Sequence, residues 1–298
     1  MWIMMGVLSM MGLGIYDLLK KRALNENAVL PVLFFATLSS ALLFLPHWIL
    51  SWTVPNFDQY DNFYVPKGDL KFHIHILIKT FIVISSWILS YMALKNLPIS
   101  IVSPIRATGP IWTLIGAILI YGEQLSILQW VGMAVALIFF FLFSSTGKRE
   151  GIHFGSNKWV WFIMIATIIG TLSTLYDKFL ISQYNRVAVQ AYFSFYQVPV
   201  LALVLLLFWY PRREKLTKFK WSRAIPWIGV VLVLGDFAYF YALTFEDSLV
   251  SILSLLRRSS VIISFGIGAI LFKEKNKKRK AVILLGIIAG IYLIMLGS

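Results

Sequence analysis

Three arginines stand inside stretches otherwise fit only for lipid. Arg106 lies nine residues into an apolar run over 97–121, and the adjacent pair Arg257 and Arg258 lies in a second run over 248–275. An arginine at mid-membrane costs about 2.5 kcal/mol or more unless it faces a partner or a water-filled cavity. Its guanidinium is permanently charged and offers a planar fork of donors that matches carboxylate or phosphate. The chemistry these residues can do is therefore to clamp an anion. The competing role is structural, with each arginine neutralised by an intramembrane carboxylate, and Asp236, in the middle of the run over 224–243, is the obvious counter-ion. A carboxyl group in such a place could also carry a proton as the coupling group. Arg257 and Arg258 are about 100° apart on a helix, so they cannot face one point. One is expected to hold substrate while the other pairs with Asp236 or reaches a neighbouring helix.

The elements that must position these charges follow from composition. The chain has 298 residues, 59% hydrophobic and 13% charged, which excludes an ordinary soluble domain. Its net charge of +14 is carried by short segments between apolar runs, as in cytoplasmic loops, and not by a surface patch suited to nucleic acid. Cysteine is absent, so disulfides and thiolate metal sites are excluded. His47, His73, His75 and His153 show no ligand spacing, and no metal site, cofactor motif or nucleophile motif is expected. The chain is not expected to be an enzyme.

Ten apolar runs are long enough to cross a bilayer, near 2–19, 28–50, 74–93, 97–121, 125–145, 158–180, 188–209, 224–243, 248–272 and 280–297. Sorting the loops between the two faces places the clusters Lys20 to Arg22, Arg212 to Arg223 and Lys273 to Lys280 together, with little beyond Lys67, Lys71 and Arg186 opposite. The positive-inside rule makes the first face cytoplasmic and leaves both termini outside. The expected location is a bacterial cytoplasmic membrane.

The chain also repeats. Seventeen residues separate Arg106 from Glu123 and Arg257 from Glu274, in runs ending Gly-Ala-Ile-Leu-Ile-Tyr-Gly-Glu and Gly-Ala-Ile-Leu-Phe-Lys-Glu. Tyr16-Asp17 matches Tyr176-Asp177, and Ala93-Leu94 matches Ala242-Leu243. Five runs per half is an odd number, so the halves must insert in opposite orientations. The expected fold is an all-α polytopic membrane protein, ten transmembrane helices in two inverted five-helix repeats over 1–147 and 158–298, with a site at mid-membrane between them.

The Gly122-Glu123-Gln124-Leu125-Ser126 turn followed by Gln129 and Gly132, with its looser copy Lys273-Glu274-Lys275 followed by Gly286 and Gly290, resembles the drug/metabolite transporter superfamily in its ten-helix EamA-type branch. The resemblance implies two five-helix bundles around a central cavity and alternating access of a small solute. The basic pair at Arg257 and Arg258 is similar in placement to that of plastid sugar-phosphate/phosphate antiporters, which implies an anion site. Both termini of that family are usually cytoplasmic, opposite to the orientation the charges give here. The expected substrate is a small organic anion, phosphorylated or carboxylated, moved by exchange or proton coupling. An exporter of amino acids or cationic metabolites that relies on Asp236 is the alternative, and a membrane scaffold or lipid-binding subunit is the reading from another class. The lipid bilayer is the one macroscopic partner expected, around a monomer or homodimer.

Substrate contacts are expected from Arg106, Arg257 and Arg258, with Tyr91, Trp112, Tyr196 and Tyr239 as aromatic walls, although most such rings are packing or interfacial anchors. Tyr16, Asp17, Tyr176 and Asp177 read either as gates, one pair per side, or as local ion pairs with Lys20 and Lys178 at helix ends. Pro104 and Pro110 flank Arg106 and each removes a helical hydrogen bond, so the chain should bend or loosen there. Glu123 and Glu274 read as turn-capping or interfacial groups.

Overall fold

The computed structural model describes residues 1–97, 102, 105–144, 157–263 and 277–297, with the side chains of 91, 94, 95, 144 and 277–281 outside the description. Glu274 and Pro104 therefore lie outside the described residues, as does the side chain of Tyr91. Among the described residues the chain forms ten helices and no strand: α1 (Trp2–Ala23), α2 (Val29–Thr53), α3 (Leu70–Asn96), α4 (Gly109–Tyr121), α5 (Ile127–Ser144), α6 (Lys158–Gln183), α7 (Arg186–Val204), α8 (Ala224–Leu243), α9 (Val250–Arg258) and α10 (Lys277–Leu296). Six of them are long and apolar enough to cross a bilayer, and α4, α5 and α10 contain shorter apolar stretches. Their outer faces are fit for lipid: Leu119 and Ile127 are 78% and 83% exposed. In a bilayer only helices or closed barrels satisfy every backbone group internally, so this surface and this secondary structure require each other.

Three helix starts, those of α3, α6 and α7, are set by local polar chemistry. Asp69 accepts from the Phe72 amide at 2.8 Å to begin α3. Asn157 does the same for α6 at 2.9 Å, and Asn185 begins α7 by accepting from the Val187 and Ala188 amides. Each bond satisfies an amide that the helix itself cannot.

The principal contacts between the first five helices and the last five are reciprocal. α1 packs on α8 as α3 packs on α6, α2 on α8 as α3 on α7, and α1 on α9 as α4 on α6; α2–α7, α4–α9 and α5–α10 are their own counterparts. Loop contacts keep the faces apart in the expected way. Asn27 is held to the Lys220 backbone in both directions, at 2.6 and 2.8 Å, which brings the α1–α2 and α7–α8 loops together. Arg186 bonds Asn62 on the other face.

Two departures from the expected spans matter for function. The run over 97–121 is interrupted at Thr108, between residues 105–107 in helical conformation and α4 proper. The run over 248–272 is interrupted by a turn at Ser259 and Ser260, between α9 and residues 261–263 in helical conformation. Both breaks fall beside the arginines.

Close packing of backbones holds α5 to α10. A Cβ on Gly290 would lie 2.7 Å from the Gly132 carbonyl oxygen, and one on Gly132 would lie 2.6 Å from that of Gly290. Small residues allow such approach in a membrane, where no hydrophobic force drives helices together. Gly290→Val is expected to destabilise the protein by about 2 kcal/mol through overpacking. A lower melting temperature in detergent with unchanged helix content before melting is the measurement.

Candidate functional site

Two connected cavities occupy the centre of the bundle. One, of about 200 Å³, is lined by Lys79, Asp177, Gln190, Asp236, Tyr239 and Arg257 among others. The second, of about 330 Å³, is lined by Asp17, Lys20, Arg106, Arg257, Arg258 and the start of α4. Ser86, Trp87, Gly170, Thr174, Leu232 and Arg257 line both, so the two are lobes of one chamber with Arg257 at the junction.

In the first lobe the charges are paired. Lys79 on α3 and Asp177 on α6 form a buried ion pair, with Lys79 only 2% exposed. The ammonium also sits over the rings of Phe193 and Phe240, at 4.3 and 5.2 Å, which repays part of its lost hydration. Arg257 donates to Asp236 at 2.8 Å and to the Ser9 hydroxyl at 3.2 Å, and its guanidinium lies 4.1 Å from the centre of the Tyr239 ring. The buried Tyr239 hydroxyl has no hydrogen-bond partner among the described residues.

The second lobe is different. Among the described residues neither Arg106 nor Arg258 has a hydrogen-bonded or ion-paired partner. They are close enough to repel each other, and Asp17 is close enough to attract both. Asp17 itself accepts from the Ser260 hydroxyl at 3.4 Å. Gly109, Pro110 and Thr113 line the lobe, so α4 presents the positive end of its dipole there. Gly109 has a packing reason as well, because a Cβ there would lie 3.4 Å from Arg258 Nη2. Over the whole chamber the described lining contains Lys20, Lys79, Arg106, Arg257 and Arg258 against Asp17, Asp177 and Asp236, two more cations than carboxylates.

Arg106, Arg257, Arg258, Tyr239, Asp236, Tyr16, Asp17 and Asp177 thus all line the chamber. Several expected residues do not. Trp112 is 41% exposed, donates to the Thr108 hydroxyl at 3.1 Å, and points away, since it is one position, about 100°, round the helix from the lining Thr113. Tyr196 is bonded to His73 at 2.9 Å, and Tyr176 clusters with the rings of His75 and Phe179, which also stack on each other; neither tyrosine is in the lining. Asp177 forms no ion pair with Lys178. It is buried against Lys79, while Lys178 donates to the Ser248 backbone and hydroxyl. Lys79 itself is absent from the residues singled out by sequence. The signal was there, because it is a cation inside an apolar run just as Arg106 is.

The EamA-like transporter family model matches residues 1–145 and again residues 157–296. The chain belongs to the EamA-like transporter family. It is an integral membrane protein of transporter type, and this EamA-like chain is 26% identical over 212 residues to a protein of Archaeoglobus fulgidus described as an uncharacterized transporter, covering 70% of this chain and 68% of the relative. A solved crystal structure matches with a TM-score of 0.72 at 14% identity, over 98% of this chain and 96% of that one, a likeness of fold alone.

The buried pair in this EamA-like chain makes a direct prediction. Lys79→Met leaves Asp177 as an uncompensated buried charge and should cost about 3 kcal/mol or more, whereas Lys79→Met combined with Asp177→Leu should recover most of that loss. Melting temperatures of the three proteins in one detergent test it; equal melting of single and double variants would show that the pair is not coupled.

Proposed function

We propose that this protein is a secondary transporter for a small organic anion, carboxylated or phosphorylated, working by alternating access as an exchanger or with proton coupling. The observation that carries the reading is the pair Arg106 and Arg258, which line a chamber with surplus positive charge, at the start of α4, with no ion-paired partner among the described residues. A guanidinium pair beside a helix N-terminus suits an oxyanion by charge and by hydrogen-bond geometry. Arg257, held by Asp236, is the group that can exchange its carboxylate partner for the substrate's. The opposite reading, in which Asp236 receives a cation, would require that carboxylate to leave Arg257. A scaffold without turnover has no use for a water-accessible chamber of costly charges. The basic loops on the Asn27 face support an orientation with that face cytoplasmic and both termini outside.

Thermal melting of the purified protein in detergent tests the reading, with inorganic phosphate, glycerol 3-phosphate and succinate as anions and choline as the cation. A ligand at about 100 times its Kd should stabilise the protein by about 2.7 kcal/mol. One of the anions is expected to raise the melting temperature, and Arg106→Ala or Arg258→Ala should weaken that binding by about tenfold to a hundredfold, the worth of one hydrogen bond to a charged group. Stabilisation by choline alone, abolished in Asp236→Asn, would overturn the reading.

A further inference from the structure

At the end of the chamber nearest the α4–α5 and α8–α9 loops, one carboxylate joins the two halves of the chain. α9 begins at Val250 without a capping side chain of its own. Its first amides are satisfied instead from the other half of the chain: Glu123 accepts from the Val250 amide at 2.5 Å, from the Ser251 amide at 3.3 Å and from the Ser251 hydroxyl at 2.5 Å. Gly122, with φ of +62°, ends α4 in a left-handed turn just before that carboxylate. At the same end the Tyr121 hydroxyl donates to the Leu175 carbonyl at 2.6 Å, and Lys178 holds the Ser248 carbonyl and hydroxyl at 3.0 and 2.6 Å. Deeper in, the hydroxyls of Thr113 and Ser254 meet at 3.0 Å.

The Glu123 and Thr113 bonds tie the end of α4 and its loop to α9, whose last residue is Arg258, while the Tyr121 and Lys178 bonds tie α4 and the α8–α9 loop to α6. We propose that Glu123 is a gating residue of the transport cycle: its carboxylate latches the N-terminus of α9 and must release it for the chamber to open on this face. A carboxylate on free helix amides suits a latch because it is a charge-assisted bond that both water and the helix dipole can compete for or strengthen. The inference rests on the alternating-access reading but not on the identity of the substrate.

The chain contains no cysteine, so a single introduced thiol reports access without background. Thr174→Cys places that thiol on α6 in the part of the lining shared by both lobes. Vesicles of fixed orientation are treated with a membrane-impermeant maleimide, and Glu246→Cys in the α8–α9 loop identifies the side on which Glu123 lies. Slow labelling of the Thr174 thiol from that side is expected, rising about tenfold in Glu123→Ala, as for loss of one charge-assisted hydrogen bond to a two-state equilibrium. Ser251→Ala removes only the hydroxyl contact and should raise the rate about threefold in the same direction, which keeps the test decisive if Glu123→Ala fails to fold. Unchanged rates from that side in the variants would overturn the latch. Because labelling needs no solute, such a failure leaves the anion-melting test untouched, and failure of the melting test leaves the latch standing.

Discussion

Every charge placed inside a low-dielectric slab must be answered by an opposite charge, an aromatic face or water, and the interior of this protein is organised by that requirement. Lys79 is answered by Asp177 and two rings, and Arg257 by Asp236, Ser9 and Tyr239. Arg106 and Arg258 are answered by neither an ion pair nor a bond from the described residues. Asp17 attracts both across the cavity they line. The same requirement sets a first lobe of paired charges apart from a second lined by surplus cations.

The helix breaks serve that arrangement. At the break beside Arg106 the Thr108 carbonyl accepts from the Ile111 and Trp112 amides, and Pro110 has no amide to give. The break sets Gly109, Pro110 and Thr113 against the second lobe, and the turn at Ser259 and Ser260 places Arg257 and Arg258 in the last turn of α9, where a cation also complements the helix dipole. Irregular backbone is tolerated at such depth because it lines a polar cavity and not lipid. The close glycine contact between α5 and α10 lies away from this site and can be rigid without hindering it.

Much of this was legible in the chain. Spans show because about twenty apolar residues are needed to cross a bilayer, and the run over 224–243 coincides with α8. The duplication shows because identical spacing between arginine and glutamate survives in both halves. Rotational phase is where the reading loses force. Trp112 and Thr113 are neighbours in sequence but face lipid and cavity, and no periodicity distinguishes them in a helix apolar all round. Asp177 was placed near a helix end because α6 runs further than its apolar core, to Gln183. Lys79 escaped because charges were sorted by loop, and a cation within a span has no loop to be sorted into. The turn at Ser259 carries no proline or glycine to announce it.

Lys79 also separates the two halves in a way their shared fold does not. The register that aligns Ala93-Leu94 with Ala242-Leu243 sets Lys79 opposite Ile228, which is 4% exposed in an apolar cluster with Val32, Ala36 and Ile225. Asp177 on α6 is therefore locked by a cation from α3, while its counterpart Asp17 on α1 meets no such cation from α8 and is left facing the arginines. Two inverted copies with identical charges would make inward and outward states nearly equal in energy. Among the described residues the lining of the first lobe is neutral and that of the second is not, so the two copies are electrostatically unequal around the chamber.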